Sequence, residues 1–367
     1  MERKTGTLED LAMNNSYNNN YQGKTVLVTG HTGFKGSWLS LWLLEMGAKV
    51  IGYAQEPEST PNHFNLLELD MVSIIGDIRD EKKLSEVFRE YQPEIVFHLA
   101  AQPFVRRSYK EPVETFDTNV MGTVKLLEAC RHTPSVKAIV VITSDKCYEN
   151  KEWAWGYREN DPLGGHDPYS ASKGATEIVA ASYRSSFFNP SEYGKSHHTL
   201  LATCRAGNVI GGGDWGEDRL IPDIVRAVES GTPVEIRSPD AIRPWQHVLD
   251  ALSGYLLVGE KLLEGDASVA DAWNFGPKES DTHTVAWICN RMAEKWEEVN
   301  MRMQQHKETL HEATLLKLDC SKAHLLLRWQ GKWDAEKAID LTTQWYKEFI
   351  NQGKIITKEQ LSLWISQ

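Results

Sequence analysis

The chain has 367 residues, 41% of them hydrophobic and 25% charged, with 13 tryptophans; this much apolar material supports a packed core and excludes a disulfide-stapled miniprotein or a disordered chain. Forty Lys and Arg against 51 Asp and Glu leave a net charge of −11, which argues against a nucleic-acid or anionic-membrane binder and still permits a local basic pocket for phosphate. The five cysteines (Cys130, Cys147, Cys204, Cys289 and Cys320) are odd in number and form no CxxC pair, a pattern of the reducing cytoplasm that offers neither a disulfide framework nor a zinc site.

Residues 1–22 (MERKTGTLEDLAMNNSYNNNYQ) lack the apolar stretch of a signal peptide and read as a disordered leader. No apolar run approaches the roughly 18 residues of a membrane span. From Lys24 onward KTVLVTG reads as a strand, HTGFKG as a glycine-rich turn, SWLSLWLLEMG as a helix stopped by Gly47, and AKVIGYA as a second strand, a βαβ unit. Strand-like runs at 72–76, 94–99 and 137–143 alternate with helical patterns at 81–91 and 119–131. This alternation predicts an α/β fold, a Rossmann-type doubly wound parallel sheet. Beyond about Gly207 the texture changes to loops rich in Gly, Pro and Trp, then a helical C-terminal stretch. The predicted organisation is a dinucleotide-binding domain over 23–206, to which a segment near 242–265 returns. A smaller α+β substrate domain then comprises 207–241 and 266–367, and the two share a cleft.

The glycine motif is Gly30-His-Thr-Gly33-Phe-Lys-Gly36. Without Cβ atoms the backbone around Gly30, Gly33, Phe34, Lys35 and Gly36 can approach a pyrophosphate, and the helix N-terminus supplies N–H groups and positive dipole. The second strand ends near Tyr53, which is not the acid that would grip an adenosine ribose; only Glu56 and Glu58 lie nearby. No Lys or Arg occurs between Lys49 and Arg79 to receive a 2′-phosphate, so the cofactor expected is NAD rather than NADP. Asp77, followed by Ile78, stands where it would accept from the adenine amine or else cap the next helix.

Tyr169-Ser-Ala-Ser-Lys173 places a phenol and an ammonium one helical turn apart on one face. A Lys ammonium lowers a phenol's pKa from about 10 toward the working pH, making Tyr169 a base for a sugar hydroxyl. YxxxK alone is usually only a helix surface. Its weight here comes from Thr143-Ser144 at the end of the preceding strand, since strand ends face the ligand crevice in open α/β sheets. Next come Asp145-Lys146, two adjacent ionisable residues. They suit an acid and base for eliminating water, or else form a solvated turn; a charged Lys146 would lower the Asp145 pKa, so the pair titrates as one unit.

With these residues in order, the chain resembles the extended short-chain dehydrogenase/reductases, and among them the sugar-nucleotide 4,6-dehydratases. VTGHTGFKGSWLSLWL, HLAAQPFVRRSY, NVMGT, TSDKCYEN, PYSASK, RAGNVIGGGDW, RLIPDIV, IRPWQHVLD and LDCSKA are similar to the CDP-glucose branch in particular. The resemblance implies NAD-dependent dehydration of CDP-glucose, with Ser144, Asp145, Lys146, Tyr169 and Lys173 catalytic. It implies Leu99, Ala100, Ala101 and Thr143 around the nicotinamide ribose, together with Tyr169 and Lys173, and Asn119 as support for the catalytic Lys unless it is a helix cap. On the substrate side it implies Gln102, Asn208, Arg219, Arg237 and Arg243, although an Arg in an acidic chain is often only a surface ion pair. A homodimer or homotetramer is expected, with no nucleic-acid partner, membrane or metal. The rival readings are a nucleotide-sugar 4-epimerase, which has no need of Asp145-Lys146, and a non-catalytic dinucleotide sensor, which usually loses the Tyr or Lys.

Overall fold

The computed structural model describes residues 20–236, 238–278, 281–303 and 315–367. Its strands are β1 (Thr25–Thr29), β2 (Lys49–Ala54), β3 (Val72–Ile75), β4 (Ile95–His98), β5 (Ala138–Ile142), β6 (Leu200–Ala206), β7 (Asn208–Ile210), β8 (Val234–Ile236), β9 (Ile242–His247), β10 (Ala272–Phe275), β11 (Thr282–Thr284) and β12 (Met301–Met303). Seven of them form one sheet in the order β10-β6-β5-β4-β1-β2-β3, every pair parallel. This is the Rossmann-type sheet expected. The order reverses between β1 and β4, and ligands bind at such a switch point.

Alternate side chains of each inner strand point to opposite faces, so one run of apolar residues feeds two cores. Val26 and Val28 of β1 and Val140 of β5 join Trp38, Trp42, Leu252 and Trp273 on one face. Leu27 and Val141 join Leu84, Phe88, Leu126 and Leu127 on the other. A third core, with Trp215, Ile224, Trp296 and Trp345, underlies the smaller part of the molecule. There β7 and β11 flank β9, and β8 pairs with β12. Trp329, Trp333 and Trp345 are buried in these cores.

Two expectations change. Residues 1–19 lie outside the described residues, but the leader does not extend to residue 22. Tyr21 is fully buried, donates its hydroxyl to the Leu256 carbonyl at 2.7 Å and packs against Phe97; an aromatic ring with a satisfied hydroxyl is stable inside. The chain also returns to the large sheet differently. Ile242–His247 is a strand of the small sheet, helix Val248–Leu263 packs against β5 and β6, and β10 then pairs with β6 as the sheet's edge. Four residues, AWNF, are too few to show period-two alternation, so the strand was not legible from its own sequence.

Candidate active site

A cleft of about 730 Å³ opens along the C-terminal ends of the large sheet and is closed on its far side by the smaller part of the molecule. Its floor is the glycine loop between β1 and helix Phe34–Glu45. Gly30 has φ +73°, and a Cβ there would lie 2.8 Å from the Ala100 nitrogen; a Cβ on Gly36 would lie 2.1 Å from the Gly30 carbonyl. Only glycine permits this packing. The helix behind it takes no side-chain cap and has no acid in its first turn, so its N–H groups and positive end serve an anion in the cleft. The loop therefore fits a dinucleotide pyrophosphate. Gly33, Phe34, Leu99, Ala100 and Ala101 line the same space. Lys35 lines it too, but its Nζ turns inward to 3.5 Å from the Tyr255 hydroxyl, and burial lowers its pKa to about 8.

At the end of the cleft expected to hold adenosine, Asp77 and Ile78 line it with Gly76, Tyr53 and Gln55. The capping reading of Asp77 is corrected: Asp80 caps helix Glu81–Tyr91 by accepting from the Lys83 N–H. Asp77 instead accepts from Gln55 at 2.8 Å and binds Arg79, with Nη2 to Oδ2 at 2.6 Å, and that guanidinium holds its carboxyl below the usual range. Arg79 is thus engaged and does not line the cleft, in keeping with a site built for NAD. Sequence reasoning missed Arg107, which reaches across the mouth to Glu58 at 2.7 Å and Glu217 at 2.8 Å.

The candidate catalytic residues come together from two elements. β5 delivers Thr143, Ser144 and Asp145, all buried, and helix Pro168–Ser186, capped by Asp167, carries Tyr169 and Lys173. Ser144 Oγ donates to Asp145 Oδ1 at 2.9 Å and also accepts from the Lys146 N–H at 3.2 Å. Asp145-Lys146 is therefore not a solvated turn: Asp145 is 4% exposed and Lys146 half-buried. Burial raises the Asp145 carboxyl above its usual value, outweighing the opposing charges of Lys146, Lys35 and Arg243. The expected depression by Lys146 is present but smaller than the desolvation.

The expected lowering of the phenol also needs correction. Burial pushes Tyr169 up to about 12, against hydrogen bonding by Ser144, and burial brings Lys173 down to about 8. Both groups share a dry site, and desolvation is the largest influence on each.

Asn119 is not a helix cap. It sits in a π-turn over Asp117–Met121, accepts from the Gln102 N–H at 2.8 Å and donates to Ser172 Oγ at 2.8 Å, while its carbonyl accepts from Thr176. It joins the loop after β4 to the catalytic helix beside Lys173. Gln102 is not in the cleft lining; its amide donates to Thr115 at 2.8 Å and its carbonyl oxygen accepts from the Phe104 N–H, so its polar atoms brace the loop and its assignment to substrate is withdrawn. Asn208, Arg219 and Arg243 do line the cleft. Arg219 is held by Asp214 at 2.9 Å, with its guanidinium 5.2 Å from the centre of the Phe104 ring. Arg237 lies outside the described residues.

The sequence profile described as GDP-mannose 4,6 dehydratase matches residues 27–342. The chain is 52% identical to the CDP-glucose 4,6-dehydratase of Salmonella typhimurium over 95% of its own length and 98% of the relative's. It is 26% identical to the dTDP-glucose 4,6-dehydratase of Haemophilus influenzae, over 88% of this chain and 97% of that one. Among solved structures, an epimerase of Methanothermobacter thermautotrophicus superposes with a TM-score of 0.79 at 24% identity, covering 92% of this chain and 95% of that chain. A dTDP-glucose 4,6-dehydratase of Bacillus anthracis in complex with NAD does so at 0.73 and 21%, covering 90% and 98%.

Proposed function

The chain belongs to the GDP-mannose 4,6-dehydratase family, and from that membership we propose that it is a hydro-lyase converting CDP-glucose to CDP-4-keto-6-deoxyglucose with resident NAD. The choice of CDP-glucose rests on the 52% identity with the Salmonella enzyme. The observation that carries the reaction type is the 2.9 Å bond between Ser144 and Asp145, which sets an elimination acid beside an oxidation site.

Gly30, Gly33 and Gly36 with the N-terminus of helix Phe34–Glu45 would hold the cofactor's pyrophosphate, and Asp77 and Ile78 its adenosine end. When bound, NAD would supply reversible hydride acceptance, which lets the sugar be oxidised at C4 and reduced at C6 with no net redox change. Tyr169 takes the 4-hydroxyl proton while Ser144 orients that oxygen, and Lys173 stabilises the phenolate. The resulting ketone acidifies the C5 hydrogen. Asp145, whose burial favours the protonated form, and Lys146 act as one coupled unit that gives a proton to the departing 6-hydroxyl and takes the proton from C5. One water leaves per sugar, with no net oxidation. Arg219, Arg243 and Asn208 would fix the sugar-nucleotide diphosphate.

The exposed apolar side chains Val113, Phe116, Met121 and Ile178 lie on segments that pack against one another. Burying them between copies supports a homodimer or homotetramer. No helix among the described residues is long and apolar enough to cross a membrane, and all five cysteines are buried free thiols, in keeping with a cytoplasmic enzyme. The test is incubation of the purified protein with CDP-glucose, UDP-glucose, dTDP-glucose and GDP-mannose separately. Turnover of CDP-glucose to the 4-keto-6-deoxy sugar is expected; turnover of another sugar nucleotide alone would reassign the substrate.

A further inference from the structure

Directly behind the catalytic residues lies a buried ion pair that the reaction as written does not use. Glu177 stands one turn beyond Lys173 on helix Pro168–Ser186, and Arg205 lies on β6; their side chains are 2% and 3% exposed. Arg205 Nη2 donates to Glu177 Oε2 at 2.8 Å, and Thr203 donates to the same oxygen at 2.7 Å. The other oxygen, Oε1, accepts from the Thr143 hydroxyl. Arg205 also donates from Nη1 to the Tyr148 hydroxyl at 2.6 Å and the Glu159 carbonyl at 3.0 Å. One carboxylate thus joins the catalytic helix, the end of β5 and the middle of β6.

A well-packed apolar pair would hold a helix on a sheet at least as firmly, since desolvating two charges commonly offsets their attraction. What an apolar pair cannot supply is a fixed acceptor for Thr143, the residue before Ser144, and a negative charge one turn from a buried ammonium. We propose that Glu177 is a positioning residue of the dehydration: clamped by Arg205, it fixes the strand end that presents Ser144 and Asp145, and its charge keeps Lys173 protonated.

The charges around Lys173 bear this out. Glu177 acts on it from its own helix, where Tyr169 stands one turn before it; Cys147 does so from the turn Asp145–Cys147, His98 from β4 and Lys35 from the glycine motif, with Arg205 behind Glu177. Burial keeps the Cys147 thiol and the His98 ring neutral. Burial also works against the Glu177 charge, but Arg205 and the two threonines hold its carboxyl below the usual range. Glu177 is therefore the lasting anion among these groups, and it is the largest influence opposing the fall of Lys173 to about 8. The sign follows: without Glu177, Lys173 loses its proton at lower pH and the alkaline limb of activity moves toward neutrality.

This role rests on the reaction proposed above, so its test includes a readout free of turnover. Competitive labelling with trace acetic anhydride, followed by peptide mass spectrometry, gives the titration midpoint of Lys173 in the intact protein. Glu177→Gln should lower that midpoint by about one pH unit or more, shift the alkaline limb of kcat/KM equally, and reduce kcat more than it raises KM. Glu177→Asp should restore part of each effect. Because an unpaired buried Arg205 can unfold the single variant, Glu177→Gln/Arg205→Met is measured beside it and should fold while keeping the lowered midpoint. A folded variant of either kind whose Lys173 midpoint stays within about 0.3 unit of the parent's overturns the proposal. If the parent itself leaves all four sugar nucleotides unchanged, the dehydratase reading fails, and the labelling result still decides the charge coupling.

Discussion

The Ser144 hydroxyl donates to the Asp145 carboxylate at 2.9 Å, so the group proposed to orient the sugar's 4-oxygen is physically joined to the acid proposed to eliminate the 6-hydroxyl. Two chemical steps thereby share one strand end. The coupling is local, because Thr143 before it is anchored on Glu177 and the turn after it closes through the Lys146 N–H.

Removing the phenol hydroxyl should therefore stop the first step without disturbing the site's frame. Tyr169 is 8% exposed, and its backbone N–H donates to Ser108 Oγ at 3.1 Å, a contact that Tyr169→Phe keeps along with the packing. We expect kcat to fall by about 10²–10⁴ with NAD affinity nearly unchanged, read by steady-state kinetics and cofactor titration. Turnover within about threefold of the parent would remove Tyr169 from its assigned role.

Lys146→Met separates the half-reactions. Methionine keeps much of the side-chain length but exchanges no proton, so oxidation at C4 should proceed while elimination stalls. An absorbance band of reduced cofactor should build up on mixing with CDP-glucose, with product formation down by about 10² or more. Normal product formation with no such band would show that another group takes the C5 proton.

Much of this site was legible in the sequence because its information is local. The glycine spacing between a strand and a helix, and the Tyr–Lys spacing of one turn, carry their geometry in a few consecutive residues. The Glu177–Arg205 pair and the Glu58–Arg107–Glu217 bridge were not legible, since their partners lie 28, 49 and 110 positions apart. Gln102 went astray for a related reason: its side chain satisfies Thr115 and the Phe104 N–H in its own loop, a choice among polar partners that composition does not reveal. The Tyr169 phenol was misjudged in direction because a neighbouring charge is visible in sequence whereas the depth of burial is not.

Gly36→Ala tests the cofactor bed. The added Cβ would lie 2.1 Å from the Gly30 carbonyl oxygen and 2.7 Å from the His31 Cα, both backbone atoms that cannot rotate aside. The loop must open, which should weaken NAD binding about tenfold or more and cost about 1–3 kcal/mol of stability. Calorimetric titration and a thermal melt read the two effects. An unchanged affinity and an unchanged Tm together would place the pyrophosphate elsewhere.

The most discriminating prediction concerns the fate of the hydrogen at C4. A dehydratase that conserves oxidation state must return that hydrogen to the same molecule, so deuterium at C4 of CDP-glucose should reappear at C6 of the product. Arg107 bridges Glu58 and Glu217 across the mouth of the cleft, and such closure holds an intermediate until reaction is complete. A mixture of C4-deuterated substrate and substrate labelled in the ribose should therefore give negligible crossover by mass spectrometry. Solvent hydrogen should enter at C5, because the Asp145–Lys146 pair exchanges the proton it took with water before the carbon is reprotonated. Deuterium returned to C4 of an inverted sugar would make the protein an epimerase, which has no use for the Asp145-Lys146 pair. Stoichiometric release of reduced cofactor would make it a simple dehydrogenase, and the buried acid at Asp145 would then have no reaction to serve.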